Sequence, residues 1–334
     1  MPDALVYIGY IAMVAVIVVL SMKLGKYVDV IDAKSKISGA FIGGVLLAAV
    51  TSLPELFTSL SAVWVVHENE LVIGNILGSD LINLAFFGVI LLIFTRKFKN
   101  AKFQPFYYVA FAVMLGMYAL VAVGLYFANY MQLSWFSVIS PAILCLYVIY
   151  VNKMPKTSEA SESGDKDGLS LKQAVIRFCI CAVVLIGASI AMTYLTDMVS
   201  EKLGLGKTFA GALFLGVATS LPELISSMTL CHRGNFDAAA GNIIGSNIFN
   251  FTILFVADVF SFMPGASGVY LLNADSQYLL ILGAIAVVTS LCMMLIKNRV
   301  KKPLGALLGA LAFNIIPPVA YVIYLLLSTG IILL

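Results

Sequence analysis

Two glutamates lie inside long apolar stretches, each directly after a proline and shortly after two hydroxyl residues. The first ends the run Thr51-Ser52-Leu53-Pro54-Glu55, and the second ends the run Thr219-Ser220-Leu221-Pro222-Glu223. An ionised side chain in the middle of a bilayer costs about 2.5–3.5 kcal/mol on insertion scales, so we expect both glutamates to face protein or a water-filled path. Residues three and four positions before a glutamate share its face of a helix. The two hydroxyls of each run are therefore predicted to lie beside its carboxylate.

A second polar motif follows each glutamate and adds amides and a hydroxyl. In Gly74-Asn75-Ile76-Leu77-Gly78-Ser79-Asp80-Leu81-Ile82-Asn83, the serine and the last asparagine are four residues apart. Ser246 and Asn250 have the same spacing in the matching stretch that begins Gly241-Asn242 and includes Gly245. Small residues spaced in this way also serve helix packing in membranes, which is the alternative interpretation for the four glycines.

These residues together offer only oxygen ligands. Each proline lacks an N–H group, so the carbonyl four residues earlier, on Val50 or Ala218, loses its helical partner and becomes available. Hard cations such as calcium take six to eight oxygens from carboxylates, amides, carbonyls and water. A soft metal would require histidine, cysteine or methionine, and none accompanies the motifs. The pattern predicts a site for a hard cation.

The composition identifies the environment of these motifs. Hydrophobic residues make up 61% of the 334 residues and charged residues 11%, with a mean hydropathy of +1.03, whereas soluble domains carry about 25% charge. We predict an all-α integral membrane protein with ten transmembrane helices, because the apolar runs reach the length needed to cross a bilayer. The predicted spans are 4–22, 37–66, 70–95, 104–128, 132–152, 173–199, 206–231, 236–263, 276–297 and 303–333.

The basic residues give the orientation of these spans. The chain has 20 lysine and arginine residues, and all but three lie in connections that follow odd-numbered spans. The exceptions are Arg177, Lys202 and Lys207. Basic loops stay in the cytoplasm, so both termini are predicted to lie outside. The five cysteines lie in or at the ends of apolar runs without the context of a metal site, and we interpret them as small hydrophobic residues.

The chain divides into two related parts. Residues 29–56 and 197–224 align without a gap, and the only long polar stretch, 153–172, lies between the two copies. We predict a first five-helix repeat over 1–152, a flexible cytoplasmic linker over 153–172 and a second repeat over 173–334. Because each repeat holds an odd number of spans, the second is inverted relative to the first. Inverted repeats are typical of secondary transporters, whose binding sites lie at the midplane.

At these motifs the sequence resembles the cation/calcium exchanger superfamily, and within it the prokaryotic sodium/calcium antiporters. Those proteins carry two inverted copies of G-T-S-x-P-E and G-N-x-x-G-S-N-x-x-[ND]. The resemblance implies exchange of calcium for sodium by alternating access, with spans 1 and 6 sliding across the remainder. It also implies a calcium site formed by Glu55, Asn83, Glu223 and Asn250. The flanking sodium sites that it implies are formed by Thr51, Ser52, Ser79, Thr219, Ser220 and Ser246, with the carbonyls of Ala48 and Gly216.

The sequence departs from the family pattern at several positions. Val50 and Ala218 replace the first glycine of G-T-S-x-P-E, and the amide-or-acid position is asparagine in both copies, at Asn83 and Asn250. Asp80 stands where the motif has asparagine, whereas the second copy keeps the asparagine at this position, as Asn247. Two glutamates balance one calcium ion, but three sodium ions would leave a net positive site unless Asp80 contributes. The coupling ratio and proton exchange therefore stay open.

The other functional classes are less consistent with the sequence. Within transporters the alternative is a calcium/proton antiporter; a passive cation channel would need a continuous pore. An enzyme is not expected, since an intramembrane protease would require paired aspartates or a His-Glu-x-x-His motif, and Asp80 and Asp258 lack that context. Asp258 could line an entry path or lie near the membrane surface. We expect calcium and sodium ions as substrates and no cofactor. The expected partner is the lipid bilayer, not nucleic acid, and the protein is expected to function as a monomer. Its expected location is the inner (plasma) membrane of a bacterium or archaeon.

Overall fold

The protein is helical throughout almost all of the chain that can be described. The computed structural model describes residues 3–34, 49, 51–127, 132–133, 136–154, 169–232, 234–261, 268–300 and 303–331. Besides helices and loops, these residues form two short strands, β1 (Gln132–Leu133) and β2 (Phe136–Ser137), which pair antiparallel. The all-helical class predicted from composition is confirmed.

The helices follow one another through short connections. Those of residues 3–154 are α1 (Asp3–Lys34), α2 (Leu53–Ser61) with a π-helical turn over Ala62–Val66, α3 (Glu70–Ile93), α4 (Thr95–Phe98), α5 (Phe106–Tyr126) and α6 (Ile139–Lys153). Those that follow are α7 (Leu171–Leu203), α8 (Lys207–Ala210) with a π-helical segment over Gly211–Gly216, α9 (Val217–Thr219), α10 (Leu221–His232), α11 (Phe236–Phe260), α12 (Ala274–Arg299), α13 (Pro303–Asn314) and α14 (Ile316–Ser328).

Many of these helices can cross a membrane. In the described part of the chain, seven are long and apolar enough: Ala4–Leu24 within α1, α3, α5, α7, α11, α12 and Leu307–Ser328. The pair Lys207–Thr219 and Leu221–His232, bent by 44°, makes an eighth if it is one span. The shorter apolar helices Leu53–Val66 and Ile139–Lys153 overlap the two remaining predicted spans, 37–66 and 132–152. Of the first of these spans, residues 37–48 and 50 lie outside the described residues. The protein is thus a multi-pass membrane protein, while the count of ten stays a prediction.

Two elements begin or end away from the predicted positions. Helix α1 continues to Lys34, although the apolar run ends near residue 22. Lysine is a good helix former, so Lys23 and Lys26 end the apolar run without ending the helix. Helix α6 starts at Ile139 rather than near 132, because the chain first forms β1 and β2. Hydropathy reports the apolar run but not the polar contacts that fix a helix start.

Prolines interrupt the spans that carry the motifs. The break between α9 and α10 falls at Ser220, two residues before Pro222, and Pro54 lies in the first turn of α2. Because a proline has no N–H to donate to the carbonyl four residues back, the helix restarts at the motif and places Glu55 and Glu223 in a first turn. π-Helical segments adjoin both interrupted spans, and such segments often occur at functional sites.

The two motif helices α3 and α11 lie at the centre of the bundle. Nearly all residues of α3 and most of α11 are buried, whereas α1 and α7 pack against each other and leave wide apolar faces exposed, including Ile11 and Val183. In a membrane protein such faces contact lipid. The central helices therefore position the polar motifs away from lipid.

Two glycines of α3 permit a close approach to the segment that carries the other glutamate. A Cβ at Gly74 would lie 2.0 Å from the carbonyl oxygen of Thr208, and one at Gly78 would lie 2.5 Å from the Cα of Ala212. Neither could be accommodated without moving backbone. The packing interpretation therefore applies to Gly74 and Gly78, which bring α3 against α8 and the π-helical segment 211–216.

Candidate cation site

The two glutamates are fully buried, and no described residue donates a hydrogen bond of ordinary geometry to their carboxylates. Glu55 and Glu223 are 0% exposed, and each occupies the first turn of a helix, where the unpaired N–H groups favour negative charge. Among the residues that the structure describes, none donates a hydrogen bond to any of their four carboxylate oxygens. A buried carboxylate without donors is costly unless a positive charge accompanies it. These oxygens are therefore suited to a cation.

Each carboxylate has hydroxyl neighbours, and all of these except Ser246 belong to the other sequence copy. Glu55 lies beside Thr219, and Glu223 lies beside Thr51, Ser52 and Ser246, without the geometry of hydrogen bonds. Glu55 and Glu223 are also close enough for their charges to repel each other. The two copies thus contribute to one cluster rather than to two separate sites.

The remaining hydroxyls connect the two copies as well. The hydroxyls of Thr51 and Ser246 are 3.2 Å apart, and Ser79 donates to the carbonyl of Gly216 at 3.4 Å. That carbonyl also accepts from the amide of Ser220 at 3.2 Å. A cation that used the Gly216 oxygen would therefore compete with the Ser79 hydroxyl.

Other predicted ligands keep oxygen lone pairs available. Thr219 donates its hydroxyl proton to the carbonyl of Leu215 at 2.9 Å, and its oxygen can still accept or bind a cation. The buried hydroxyls of Ser52 and Ser220 have no hydrogen-bond partner in the described chain. Ala48 lies outside the described residues, so its carbonyl stays a prediction.

Four polar side chains of α3 and α11, three asparagines and one aspartate, form a hydrogen-bonded group. Asn83 donates through Nδ2 to Oδ1 of Asn247 at 2.9 Å, and Asn250 donates through Nδ2 to Oδ1 of Asp80 at 3.1 Å. The Oδ1 atoms of Asn83 and Asn250 are buried and accept no hydrogen bond within the described ranges. Both amides therefore present a free oxygen, as ligands would.

Two further asparagines brace the glutamates and were not assigned a role from sequence. Asn75 and Asn242 each direct Nδ2 toward the main-chain carbonyl of a glutamate, at 3.2 Å for Glu55 and 3.5 Å for Glu223. Each also contacts two hydroxyls of the glutamate's own helix at 2.8–3.0 Å: Thr58 and Ser59 for the first, Ser226 and Ser227 for the second. Their identical place in both copies was the available signal.

Asp258 belongs to a separate contact. Its Oδ2 accepts from the amide of Ser137 at 2.8 Å and from the hydroxyl of Ser140 at 2.7 Å, and that hydroxyl is 3.0 Å from the hydroxyl of Tyr270. Asp258 therefore secures the start of α6 instead of joining the cluster of glutamates and amides.

Acidic groups alone do not complete the cluster. Over the described ranges, no three histidine, cysteine, aspartate or glutamate side chains are placed so that they could hold a metal ion. A cation between the two glutamates would need the neutral amide, hydroxyl and carbonyl oxygens around them.

A family model matches both parts of the chain. The model described as "Sodium/calcium exchanger protein" matches residues 5–152 and 173–330. The chain belongs to the sodium/calcium exchanger family. Among its relatives, this exchanger is 28% identical over 240 residues to the "Uncharacterized membrane protein MJ0091" of Methanocaldococcus jannaschii, which covers 68% of this chain and 73% of that protein. It is also 28% identical to the "Inner membrane protein YrbG" of Escherichia coli, over 64% of this chain and 66% of that protein.

Solved structures of exchangers share this fold. The structure described as "H+/Ca2+ Exchanger CAX" aligns with a TM-score of 0.70 at 15% identity and covers 98% of this chain and 87% of that one. The sodium-calcium exchanger NCX_Mj aligns with a TM-score of 0.60 at 20% identity, covering 96% and 98%. The family membership makes this protein a membrane transporter of cations such as calcium, and not an enzyme.

Proposed function

We propose that the protein is an antiporter that exchanges calcium for sodium by alternating access at the site between α2, α3, α10 and α11. The observation that carries this proposal is the pair of buried glutamates, which lie beside hydroxyls of the opposite copy and whose carboxylate oxygens have no hydrogen-bond partner of ordinary geometry among the described residues. Two carboxylates balance the charge of one calcium ion. Calcium also accepts neutral oxygens readily, and these surround the pair.

The assignment of ligands follows from which oxygens are free. In this proposal calcium binds the carboxylates of Glu55 and Glu223 and the Oδ1 atoms of Asn83 and Asn250. Sodium ions use overlapping positions at the hydroxyls of Thr51, Ser52, Ser79, Thr219, Ser220 and Ser246 and at the carbonyls of Ala48 and Gly216. Support comes from the Thr51–Ser246 and Ser79–Gly216 contacts, which pair predicted sodium ligands across the two copies.

Shared ligands explain why one ion would drive out the other. The same two carboxylates cannot balance a calcium ion and a full set of sodium ions at once. Binding of sodium therefore weakens the binding of calcium, and the reverse holds by thermodynamic linkage. Exchange then requires only that the occupied site open alternately to the two sides.

The proposed topology has ten spans, with residues 1–152 and 173–334 as inverted repeats, 153–172 as a cytoplasmic linker and both termini outside. Support comes from contacts of lysine residues, each of which joins residues that are predicted to lie on the same side of the membrane. Lys97 donates to the carbonyl of His232, and Lys297 to those of Lys99 and Ala101, all in predicted cytoplasmic connections. Lys207 pairs with Asp197 at the predicted external ends of the sixth and seventh spans. We place the protein in the inner (plasma) membrane, because the name of the relative YrbG gives that membrane as its location.

The main competing function is calcium/proton exchange. The H+/Ca2+ exchanger CAX has the same fold, with a TM-score above that of NCX_Mj. Fold similarity does not select the counter-ion, because both proteins share the architecture. Asp80 adds a third buried carboxylate beside the amides and favours sodium, since it helps to balance several monovalent charges.

Transport into proteoliposomes distinguishes these functions. Calcium-45 uptake is measured in vesicles loaded with sodium and diluted into sodium-free medium, and in sodium-free vesicles with an imposed proton gradient. We expect uptake in the first set that collapses when a sodium ionophore is added. Uptake only under the proton gradient would establish calcium/proton exchange, and gradient-independent equilibration would indicate a channel.

A further inference from the structure

Asp80 makes two hydrogen bonds that reach both amide ligands. It lies on α3 between Ser79 and Asn83, is 0% exposed, and its equivalent in the second copy is Asn247. One bond uses its main-chain carbonyl and the other uses its carboxylate. Each bond constrains which end of an asparagine side chain can face the cation.

The main-chain bond orients Asn83 through Asn247. The carbonyl of Asp80 accepts from Nδ2 of Asn247 at 2.9 Å, and a carbonyl can only accept. Asn247 must therefore turn its Nδ2 toward Asp80, which leaves its Oδ1 facing Asn83. Asn83 in turn must donate through Nδ2, as it does at 2.9 Å, and its own Oδ1 is left free for a cation.

The carboxylate bond orients Asn250 directly. Oδ1 of Asp80 accepts from Nδ2 of Asn250 at 3.1 Å, so the Oδ1 atom of Asn250 is directed elsewhere and remains without a donor. The reversed amide would place its oxygen against the carboxylate oxygen, which is unfavourable because neither can donate. An asparagine at position 80 could donate as well as accept, and would fix Asn250 less firmly.

We infer that Asp80 is a positioning residue that sets the orientation of both amide ligands, so that Asn83 and Asn250 present oxygen rather than NH2 to the transported cation. This inference rests on the proposed function, because it assigns the amides as ligands. A reversed amide would remove one ligand oxygen and point a partial positive charge at the ion. All three amides donate toward Asp80, whose carbonyl and carboxylate are the final acceptors.

The first test measures calcium-45 binding at equilibrium to purified protein in detergent, without any gradient. Asp80→Ala removes the acceptor for Asn250, and we expect calcium affinity to fall about tenfold or more, as for loss of a hydrogen bond to a charged group. Asp80→Asn keeps an acceptor oxygen, so affinity should stay within about threefold of the original. Asp258→Asn is the matched control, a buried aspartate with its own hydrogen bonds outside the cluster, and should bind as the unsubstituted protein does.

A second substitution separates orientation from a general structural effect. A carboxylate has two equivalent oxygens and needs no orientation, so Asn250→Asp should restore calcium affinity when combined with Asp80→Ala. Alone, Asn250→Asp places two carboxylates in contact and should weaken binding. The combination of Asp80→Asn with Asn250→Asp allows residue 80 to donate, and should bind more tightly than Asn250→Asp alone.

The outcomes are decisive in either direction. Equal affinity of the Asp80→Ala variant and the unsubstituted protein would overturn the inference and leave the proposed function standing. The inference also fails if Asn250→Asp gives no gain in affinity with either substitution at position 80, a comparison that remains available should Asp80→Ala fail to fold. Absence of calcium binding by the unsubstituted protein would instead overturn the proposed function, together with the ligand role that Asp80 serves.

Discussion

The charge of Glu55 and Glu223 is the feature that most needs a partner. Both are buried beside each other, and their neighbours offer hydroxyl oxygens rather than hydrogen bonds of ordinary geometry. In the proposed function a calcium ion supplies the compensation. Removing one charge while keeping the shape of the side chain therefore tests the site at its centre.

We expect Glu55→Gln and Glu223→Gln each to abolish calcium uptake while expression persists. Loss of one unit charge at a low-dielectric site weakens calcium binding by at least about tenfold, given the strength of ion pairs in such surroundings. Calcium-45 uptake in proteoliposomes measures the effect. Glu201→Gln is the control, since that side chain is 68% exposed and lies away from the cluster. Near-normal uptake by either buried variant would remove that glutamate from the site.

Asp80 also bears on the counter-ion. If its charge helps to balance sodium ions, Asp80→Asn should alter the sodium dependence of uptake much more than the affinity for calcium. The expected result is a rise of about tenfold or more in the sodium concentration needed for half-maximal exchange. Titrating internal sodium at fixed calcium measures it. An unchanged sodium dependence would show that Asp80 contributes no charge to sodium binding.

The sequence reveals the candidate ligands better than the bonds among them. Spacing alone brings Glu55 and Ser52, or Ser79 and Asn83, to one helix face, and the duplication pairs them across the copies. The donor direction from Asn247 to Asp80 depends on how α3 crosses α11, which no local pattern encodes. The bracing contacts of Asn75 are of the same kind, because they join residues from different helices.

At the level of elements, α3 depends on glycine for its close contact with α8. We expect Gly74→Ala to lower the thermal stability of the purified protein, because its Cβ would lie 2.0 Å from the carbonyl oxygen of Thr208. Overpacking of this kind costs about 1–3 kcal/mol. Gly187→Ala is the matched control, since nothing lies within 4 Å of the added Cβ. Melting curves in detergent compare the two, and equal midpoints would contradict the close packing.

Hydropathy predicts the ends of a helix where contact with lipid sets its length. It does not predict an end that is fixed by a contact with another part of the protein. α5, α7 and α12 begin and end within a few residues of the predicted spans, because their length is set by the bilayer. The start of α6 depends on Asp258 of a distant helix, which accepts from Ser137. Such a contact has no trace in the apolar run itself.

The whole molecule is predicted to place its lysine-poor and lysine-rich connections on opposite sides of the membrane. We expect a cysteine introduced as Glu201→Cys to react with an impermeant maleimide added to intact cells, and Lys99→Cys to react only after the membrane is opened. Both positions are exposed in the structure. The background replaces the five native cysteines, and that parent protein without an added cysteine is the control. Labelling of both from outside would contradict the predicted inverted topology.

The interlocking of the two copies also limits how such a protein could have begun. Glu223 is surrounded by Thr51 and Ser52, and Glu55 by Thr219, so neither copy contains a complete set of neighbours for its own carboxylate. A single-copy ancestor would have had to meet a second molecule of itself, inserted the other way up, before it could hold an ion. Fusion of two such genes would hold both copies in one chain, so that the ion site could form without a second molecule.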